Sequence, residues 1–526
     1  MKRNPRRALI VATLLTVGAG ACTDTTELPI TTITDTNYFN DPSSYRALLA
    51  KIYSGLAVSG QRGPAGDPDI EGIDEGFSQY LRLYWEAQEL PTDEAVIAWG
   101  DVGLPEMNTQ LWASSNSFVV AMYYRIAFQV SMANELLRQT TDAKLAERNV
   151  SPELAADIQI FRAEARFLRA LSYWHGMDLF GSIPLVTEDY VLGSPPPAQN
   201  TRQEIFNFVV SELNAIKSQL PLPSPGTYGR ATAAAASMLL AKVYLSAEVY
   251  SGTPQYGPAL AEAQAVIAGP FSLDPSYHHL FQADNHTSPE IVFPIVQDGL
   301  RTQTFGGTTF LVHASCGGSM DASESGVDGC WFGLRVKPQA YTRYTIQAPG
   351  DTRASVFWTD GQTLEVTSIS NFNAGYPARK FVNKTSTGAD GSDATHPDTD
   401  FPMFRLGDAY LIYAEAHLRG GGGDRAQALA YVNALRQRAY GNTSGDIADA
   451  DLTLDFILDE RGRELLFEAH RRSDLVRYGR FTGGTYIWSW KGGAPGGTAT
   501  ETFRDLYPLP ASELTTNPNL AQNPGY

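Results

Sequence analysis

Between residues 158 and 171 apolar side chains return at every third or fourth position: Ile158, Phe161, Ala165, Leu168 and Leu171. Arg162, Arg166 and Arg169 form a charged stripe beside them, and that spacing predicts an amphipathic helix with one face buried on other helices. The end of the helix is legible as well. Gly181 follows Phe180 and can take the left-handed cap, and Pro184 prevents continuation. Similar segments run over about 41–58, 117–140, 201–219, 230–251, 258–268, 403–419, 424–440 and 453–480. Small residues such as Ala231 and Ala233 to Ala236 let such helices approach closely.

The segments 403–419 and 424–440 are joined by Gly420 to Gly423, which predicts a short helical hairpin. Ala414, Ala416, Ala428, Leu429, Val432 and Leu435 are spaced for packing one helix on its neighbour. No clean repeat at the tetratricopeptide period of about 34 residues is present, so any such character is degenerate. From about 270 to 400 the texture changes to short apolar runs such as Ile291 to Val296 among Gly, Asp, Ser and aromatic residues. That stretch reads as long loops with a few short strands. The expected fold is mainly α, a scaffold of degenerate tetratricopeptide-like helical pairs with a loop-rich face.

The N-terminus carries an export signal. Lys2, Arg3, Arg6 and Arg7 precede an apolar run from Ala8 to Val17 and the small residues Gly18 to Ala21. The run is far shorter than the ~20 residues of a membrane-spanning helix, so cleavage is expected. Ala19-Gly20-Ala21-Cys22 resembles a lipobox, in which Cys22 is acylated and becomes the first mature residue, although Leu is common where Ala19 stands. Ordinary cleavage, leaving Cys22 as an unpaired thiol, is the alternative. More than one acyl chain gives stable anchoring, since each buried methylene contributes ~0.8 kcal/mol. A Thr- and Asp-rich stretch follows to about Asn37 and suits an extended tether.

Loss of the four positive charges in residues 1–21 takes the formal net charge from −17 to −21. So acidic a chain has no basic surface for nucleic acid or for docking on anionic lipid. With 43% hydrophobic residues it can bury a large core. Cys316 and Cys330 lie close together, and outside the cytoplasm a disulfide is the favoured reading, worth ~3 kcal/mol where geometry allows. Two free thiols or half of a metal site are the alternatives, and no CxxC or His pair supports the second. Asp321, Ser323, Ser325 and Gly326 copy the opening of a calcium loop, but Phe332 stands where its bidentate Glu belongs.

No GxSxG, P-loop, strand-associated GxGxxG or HExxH is present, and no cofactor or metal site is expected. Glu460, Glu464 and Glu468 recur every four residues and would repel one another without intervening cations. Arg461, Arg463, Arg471 and Arg472 stand three or four positions from them, which reads as a structural ion-pair network. Glu164, on the apolar side of its helix, calls for an arginine from another helix.

Six segments in order resemble the SusD/RagB family of outer-membrane nutrient-binding lipoproteins. They are EARFLRALSYWHGMDLFGSIPLV at 164–186, GRATAAAASMLLAKVYL at 229–245, FRLGDAYLIYAEAHLRGG at 404–421, ALAYVNALRQRA at 428–439, DERGRELLFEAHRRSDLVRYGRF at 459–481 and DLYPLPASELTTNPNLAQNPGY at 505–526. The resemblance implies a helical-pair scaffold with a loop-rich ligand-binding face, and no covalent chemistry. It further implies a lid on a SusC-like TonB-dependent transporter of the outer membrane, facing outward and delivering oligosaccharides or, in some members, peptides. On this reading residues 1–21 are a cleaved signal and 22–37 a lipid-attached tether. Residues 38–260 and 261–526 form N- and C-terminal parts packed as one unit. A structural tetratricopeptide adaptor or a lipid-anchored polysaccharide enzyme are the readings from other classes.

Sugar rings stack their C–H faces on aromatic side chains, while their hydroxyls need polar groups at the edges, so aromatic residues in loops are the candidates. One group is Tyr80, Tyr84 and Trp85, with Asp93 and Trp99 nearby; another is Trp331, Phe332, Tyr341 and Tyr344. A disulfide beside Trp331 pre-organises that loop and lowers the entropy lost on binding. Tyr486, Trp488 and Trp490 alternate in strand fashion, and ligand stacking, transporter contact and simple packing all fit them.

Overall fold

The computed structural model describes residues 35–526 except Leu192. Cys22, the signal and most of the expected tether lie outside the described residues. Up to Tyr45 the chain holds the short helix Asp35–Tyr38, with Ser44 Oγ donating to the Tyr38 carbonyl at 2.6 Å. From Arg46 onward the chain is a second compact unit, which carries everything that follows.

In chain order the principal elements are α1 (Ser43–Ala57), α2 (Tyr80–Glu89), β1 (Ala95–Ile97), α3 (Ser117–Gln139), α4 (Pro152–Phe180) and α5 (Arg202–Ile216). Next come α6 (Ala233–Leu245), α7 (Tyr256–Ile267), β2 (Ile291–Ile295), α8 (Gly307–Ala314), β3 (Leu334–Val336) and α9 (Pro338–Thr345). The C-terminal part adds β4 (Phe401–Arg405), α10 (Leu406–Leu418), α11 (Arg425–Tyr440), α12 (Leu454–Glu464) and α13 (Arg471–Arg477).

Local chemistry sets the helix ends. Ser151 caps α4 by accepting from the Leu154 N–H, with Pro152 at the first turn, and the helix stops at Gly181, whose φ is 74°. Thr201 and Glu204 form a capping box on α5, and Thr232 caps α6. Successive helices pack on one another: α3 on α4, α4 on α5, α6 on α7, α7 on α10, and α10 on α11. In α6, Ala235, Ala236 and Ala241 are fully buried, which brings the α7 backbone close. The mainly α, helical-pair reading therefore describes the scaffold.

Two readings need correction. The segment 403–419 begins as a strand, since β4 pairs antiparallel with β2, and the helix starts only at Leu406. The segment 453–480 is two helices, broken where Phe467 and Ala469 adopt positive φ of 62° and 60°. The break is fixed by distant partners. The Phe467 carbonyl accepts the Trp85 indole N–H at 2.8 Å, and Glu468 turns inward to Arg405 at 2.6 Å.

The expected ion-pair network exists, but most of its cations come from elsewhere in the chain. Arg405 meets Glu290 at 2.8 Å, Glu464 at 2.6 Å and Glu468 at 2.6 Å. Arg353 meets Asp351 at 2.6 Å, Glu460 at 2.7 Å and Glu464 at 2.6 Å. Of the four neighbouring arginines only Arg463 serves the carboxylate stripe, through Glu460. Arg461 turns to Asp408 and Asp474, Arg471 to Asp93, and Arg472 to Asp178. Glu164 pairs with Arg230, which stands just before α6, and accepts from the Tyr53 hydroxyl at 2.5 Å.

Candidate functional site: an aromatic cleft

The β1–β3 pair is only three residues long on each side, with Val96 opposite Arg335 and Ile97 opposite Leu334. Its consequence is to bring Trp99, just after β1, beside Trp331, just before β3. The Trp99 indole N–H donates to the Trp331 carbonyl at 2.9 Å, and the two rings lie 6.3 Å apart at 46°. Gly333 is needed for this approach, because a Cβ there would come within 2.8 Å of the Trp99 ring. Phe305, in the loop before α8, sets a third ring 6.2 Å from Trp331 at 61°.

These rings line an open cleft of about 420 Å³ with Phe77, and the exposed carboxylates of Asp74 and Asp101 stand at its rim. Arg82 closes its floor. Its guanidinium lies 4.2 Å from the centroids of both Phe77 and Phe310 and 5.4 Å from that of Trp99. Nε donates to Glu86 at 3.0 Å and Nη1 to the Gly76 carbonyl at 3.3 Å, whereas the buried Nη2 has no protein partner. Burial lowers the Arg82 pKa against the opposing pull of Glu86, and burial likewise pushes the Glu86 carboxyl up to about 7 despite Arg82.

Cys316 and Cys330 are joined by a disulfide, with Cα atoms 4.7 Å apart. It closes the loop that ends on Trp331. Backbone bonds continue the clamp: Trp331 N–H to the His313 carbonyl at 2.8 Å, Phe332 N–H to Cys316 at 2.9 Å, and Gly333 N–H to Ala314 at 2.9 Å.

Of the candidate residues, Trp99 and Trp331 meet in the cleft and are half-buried. Phe332 is 50% exposed beside them, its ring edge-on to Phe372 at 5.5 Å. Tyr341 is half-buried elsewhere, packed on Phe357 at 5.3 Å and Tyr376 at 4.9 Å. Tyr80 and Trp85 are a correction: both are 0% exposed, because all ten residues of α2 are buried. Tyr80 bonds the His175 ring at 2.8 Å, and neither side chain offers a face to a ligand. Tyr84, Asp93 and Tyr344 are buried with them, and Trp488 packs in the core on Phe481.

Sequence reasoning missed Phe77, Arg82 and Phe305. Phe305 carried a usable signal, a lone aromatic in the Thr- and Gly-rich run Thr302 to Thr309. A larger groove of about 740 Å³ has walls of Pro223, Pro225, Pro289 and Pro294, and its Tyr228 hydroxyl is tied to Asp400 at 2.5 Å. It offers no opposed rings. Among the described residues no group of His, Cys, Asp and Glu side chains is placed to hold a metal ion, and no helix is long and apolar enough to cross a membrane.

The model of the SusD family matches residues 341–526. The starch-binding protein SusD of Bacteroides thetaiotaomicron is 34% identical over 533 aligned residues, covering 91% of this chain and 92% of that protein. The chain belongs to the SusD family. SusD-like protein P25 of Formosa agariphila is 26% identical, with 72% of this chain and 75% of that protein covered. Among solved structures, a SusD homolog from Bacteroides thetaiotaomicron superposes with a TM-score of 0.72 at 19% identity, over 94% of this chain and 98% of that one. Surface glycan-binding protein A of the same organism, solved with laminarihexaose, gives a TM-score of 0.69 at 20% identity, over 91% and 98%. The SusD-family relatives are binding proteins, and this chain is a binding protein and not an enzyme.

Proposed function

We propose that this SusD-family protein binds an oligosaccharide in the cleft of Trp99, Phe305 and Trp331. The supporting observation is the mutual tilt of the three rings, 46° and 61°, around one open space. Tilted platforms suit a curved glycan better than a flat, extended one, and the starch-binding relative supports an α-glucan. Aromatic faces take the sugar C–H surface, and Arg82, Asp74 and Asp101 stand where hydroxyls need partners. The bound sugar is then passed to a SusC-like TonB-dependent transporter, with the receptor held at the outer membrane by lipid on Cys22.

Calorimetric titration of the purified protein with maltoheptaose, laminarihexaose and mixed peptides tests the reading. Maltoheptaose binding is expected, and Trp99→Ala and Trp331→Ala should each weaken it. Clear peptide binding with no response to any glycan would overturn it.

A further inference from the structure

His313 sits on the last turn of α8 directly against Trp331. The two rings are stacked, with centroids 4.5 Å apart and planes 19° apart. His313 is 0% exposed, and both its ring nitrogens face backbone carbonyl oxygens: Nδ1 that of Gly329 at 2.6 Å and Nε2 that of Thr395 at 2.9 Å. A carbonyl oxygen can only accept, and a neutral imidazole carries one N–H. Only the doubly protonated ring satisfies both contacts. A neutral ring would set a nitrogen lone pair against an oxygen lone pair in a place closed to water, which is costly.

We propose that His313 is the positioning residue for Trp331, acting as an imidazolium that bridges the Gly329 and Thr395 carbonyls beneath the indole. Gly329 precedes the disulfide cysteine Cys330, and Thr395 belongs to a separate loop that ends at β4, so a single protonated ring ties two loops under the binding platform. His313 touches no ligand.

The charged surroundings are compatible with a cation. His313 is the one titratable residue on α8. From α2, which packs on α8, come Arg82 and Glu86, already paired with each other at 3.0 Å. Arg335 of β3 is turned to the carbonyls of Gly333 at 3.0 Å and Ile369 at 2.6 Å. On the Gly329 loop, Asp328 accepts from Thr395 Oγ1 at 2.5 Å. On the Thr395 loop, Asp393 accepts from the Thr395 N–H at 3.0 Å, and His396 lies 5.7 Å from Phe305. The two loops held by the ring thus each carry a carboxylate.

The sign follows directly. Raising the pH removes the second proton, converts one bond into a repulsion and loosens the seat of Trp331. Where the proposed function holds, glycan affinity therefore falls as pH rises across the range of about 5 to 8 in which imidazole titrates. Loss of one hydrogen bond sets the scale at roughly three- to tenfold.

Two measurements on the full chain test this. The first needs no ligand: a protonated imidazole stacked on indole quenches its emission, so tryptophan fluorescence should rise in a step with pH. The step should vanish in His313→Phe, which keeps the stack but cannot titrate, and in Trp331→Phe. His175, beside Trp174, does not contribute, since burial lowers its pKa to about 3. Should His313→Phe not fold, His313→Gln is judged by the same step. The second is maltoheptaose affinity against pH, expected to decline in the wild type and to be flat in His313→Phe. No step in the wild type, or a step that persists in the His313 variants, overturns the proposal. A step without any glycan binding upholds the positioning role and rejects only the functional reading on which the affinity profile rests.

Discussion

Trp331 is held from three sides, by the His313 ring, by the Trp99 indole N–H on its carbonyl, and by the disulfide at Cys330. Its remaining surface lines the cleft, so truncation removes a pre-organised platform rather than a mobile side chain. Trp331→Ala should cost about 2 kcal/mol or more of maltoheptaose binding, roughly thirtyfold, while a thermal melt still shows a folded protein. An unchanged affinity would remove the cleft from the site. Trp99 and Trp331 were legible in the sequence as aromatics in loops, but Tyr80 and Trp85 were not legible as core. Their helix carries Arg82, Glu86 and Glu89, which look like a solvent-facing side until the partners are seen. Arg82 pairs with Glu86 inside the helix, and Glu89 accepts the distant His470 N–H at 3.1 Å. Pairing of that kind lies beyond periodicity.

At the level of elements, the helical pairs were legible because each buries a stripe, whereas the break between α12 and α13 was not. A continuous helix through 465–470 matches the local pattern, and it loses to Arg405, which draws Glu464 and Glu468 to one guanidinium from either side of the break. Removing that cation leaves Glu290, Glu464 and Glu468 buried with less compensation. Arg405→Met should therefore cost about 3–5 kcal/mol in a denaturant titration or prevent folding, and a loss below about 1 kcal/mol would show that the break has another cause. The same region governs acid stability. Burial alone would raise the Glu460 pKa, but Arg353, Arg463 and Arg436 overcome it and hold the carboxyl down at about 2, from an ordinary 4.5. A depressed carboxylate stabilises above its unfolded value and loses that contribution as pH falls toward the folded one. The melting temperature should drop between about pH 4.5 and 2, by an amount on the order of 3 kcal/mol for this one group. Glu460→Gln should flatten that part of the profile while lowering stability at neutral pH.

At the scale of the whole molecule, no described helix can anchor the protein, and the mature net charge of −21 gives it no attraction to an anionic surface. If it works beside a membrane transporter, the lipid on Cys22 is what keeps it there. Thirteen residue steps separate Cys22 from Asp35, the first described residue, and at ~3.5 Å each they reach at most about 45 Å. A receptor on so short a leash stays at high effective concentration over its transporter and needs only a modest direct interface with it. Cys22→Ala should therefore release the protein from the membrane fraction and abolish oligosaccharide uptake by cells. The affinity of the purified variant for maltoheptaose should match that of the wild type, because the cleft lies on the rigid β1–β3 and α8 framework far along the chain from the anchor. Uptake that survives with the protein fully released would mean that the transporter recruits its receptor by contact alone, and the tethered-lid mechanism would be wrong. Affinity that falls along with uptake would instead implicate the N-terminal segment in the binding site.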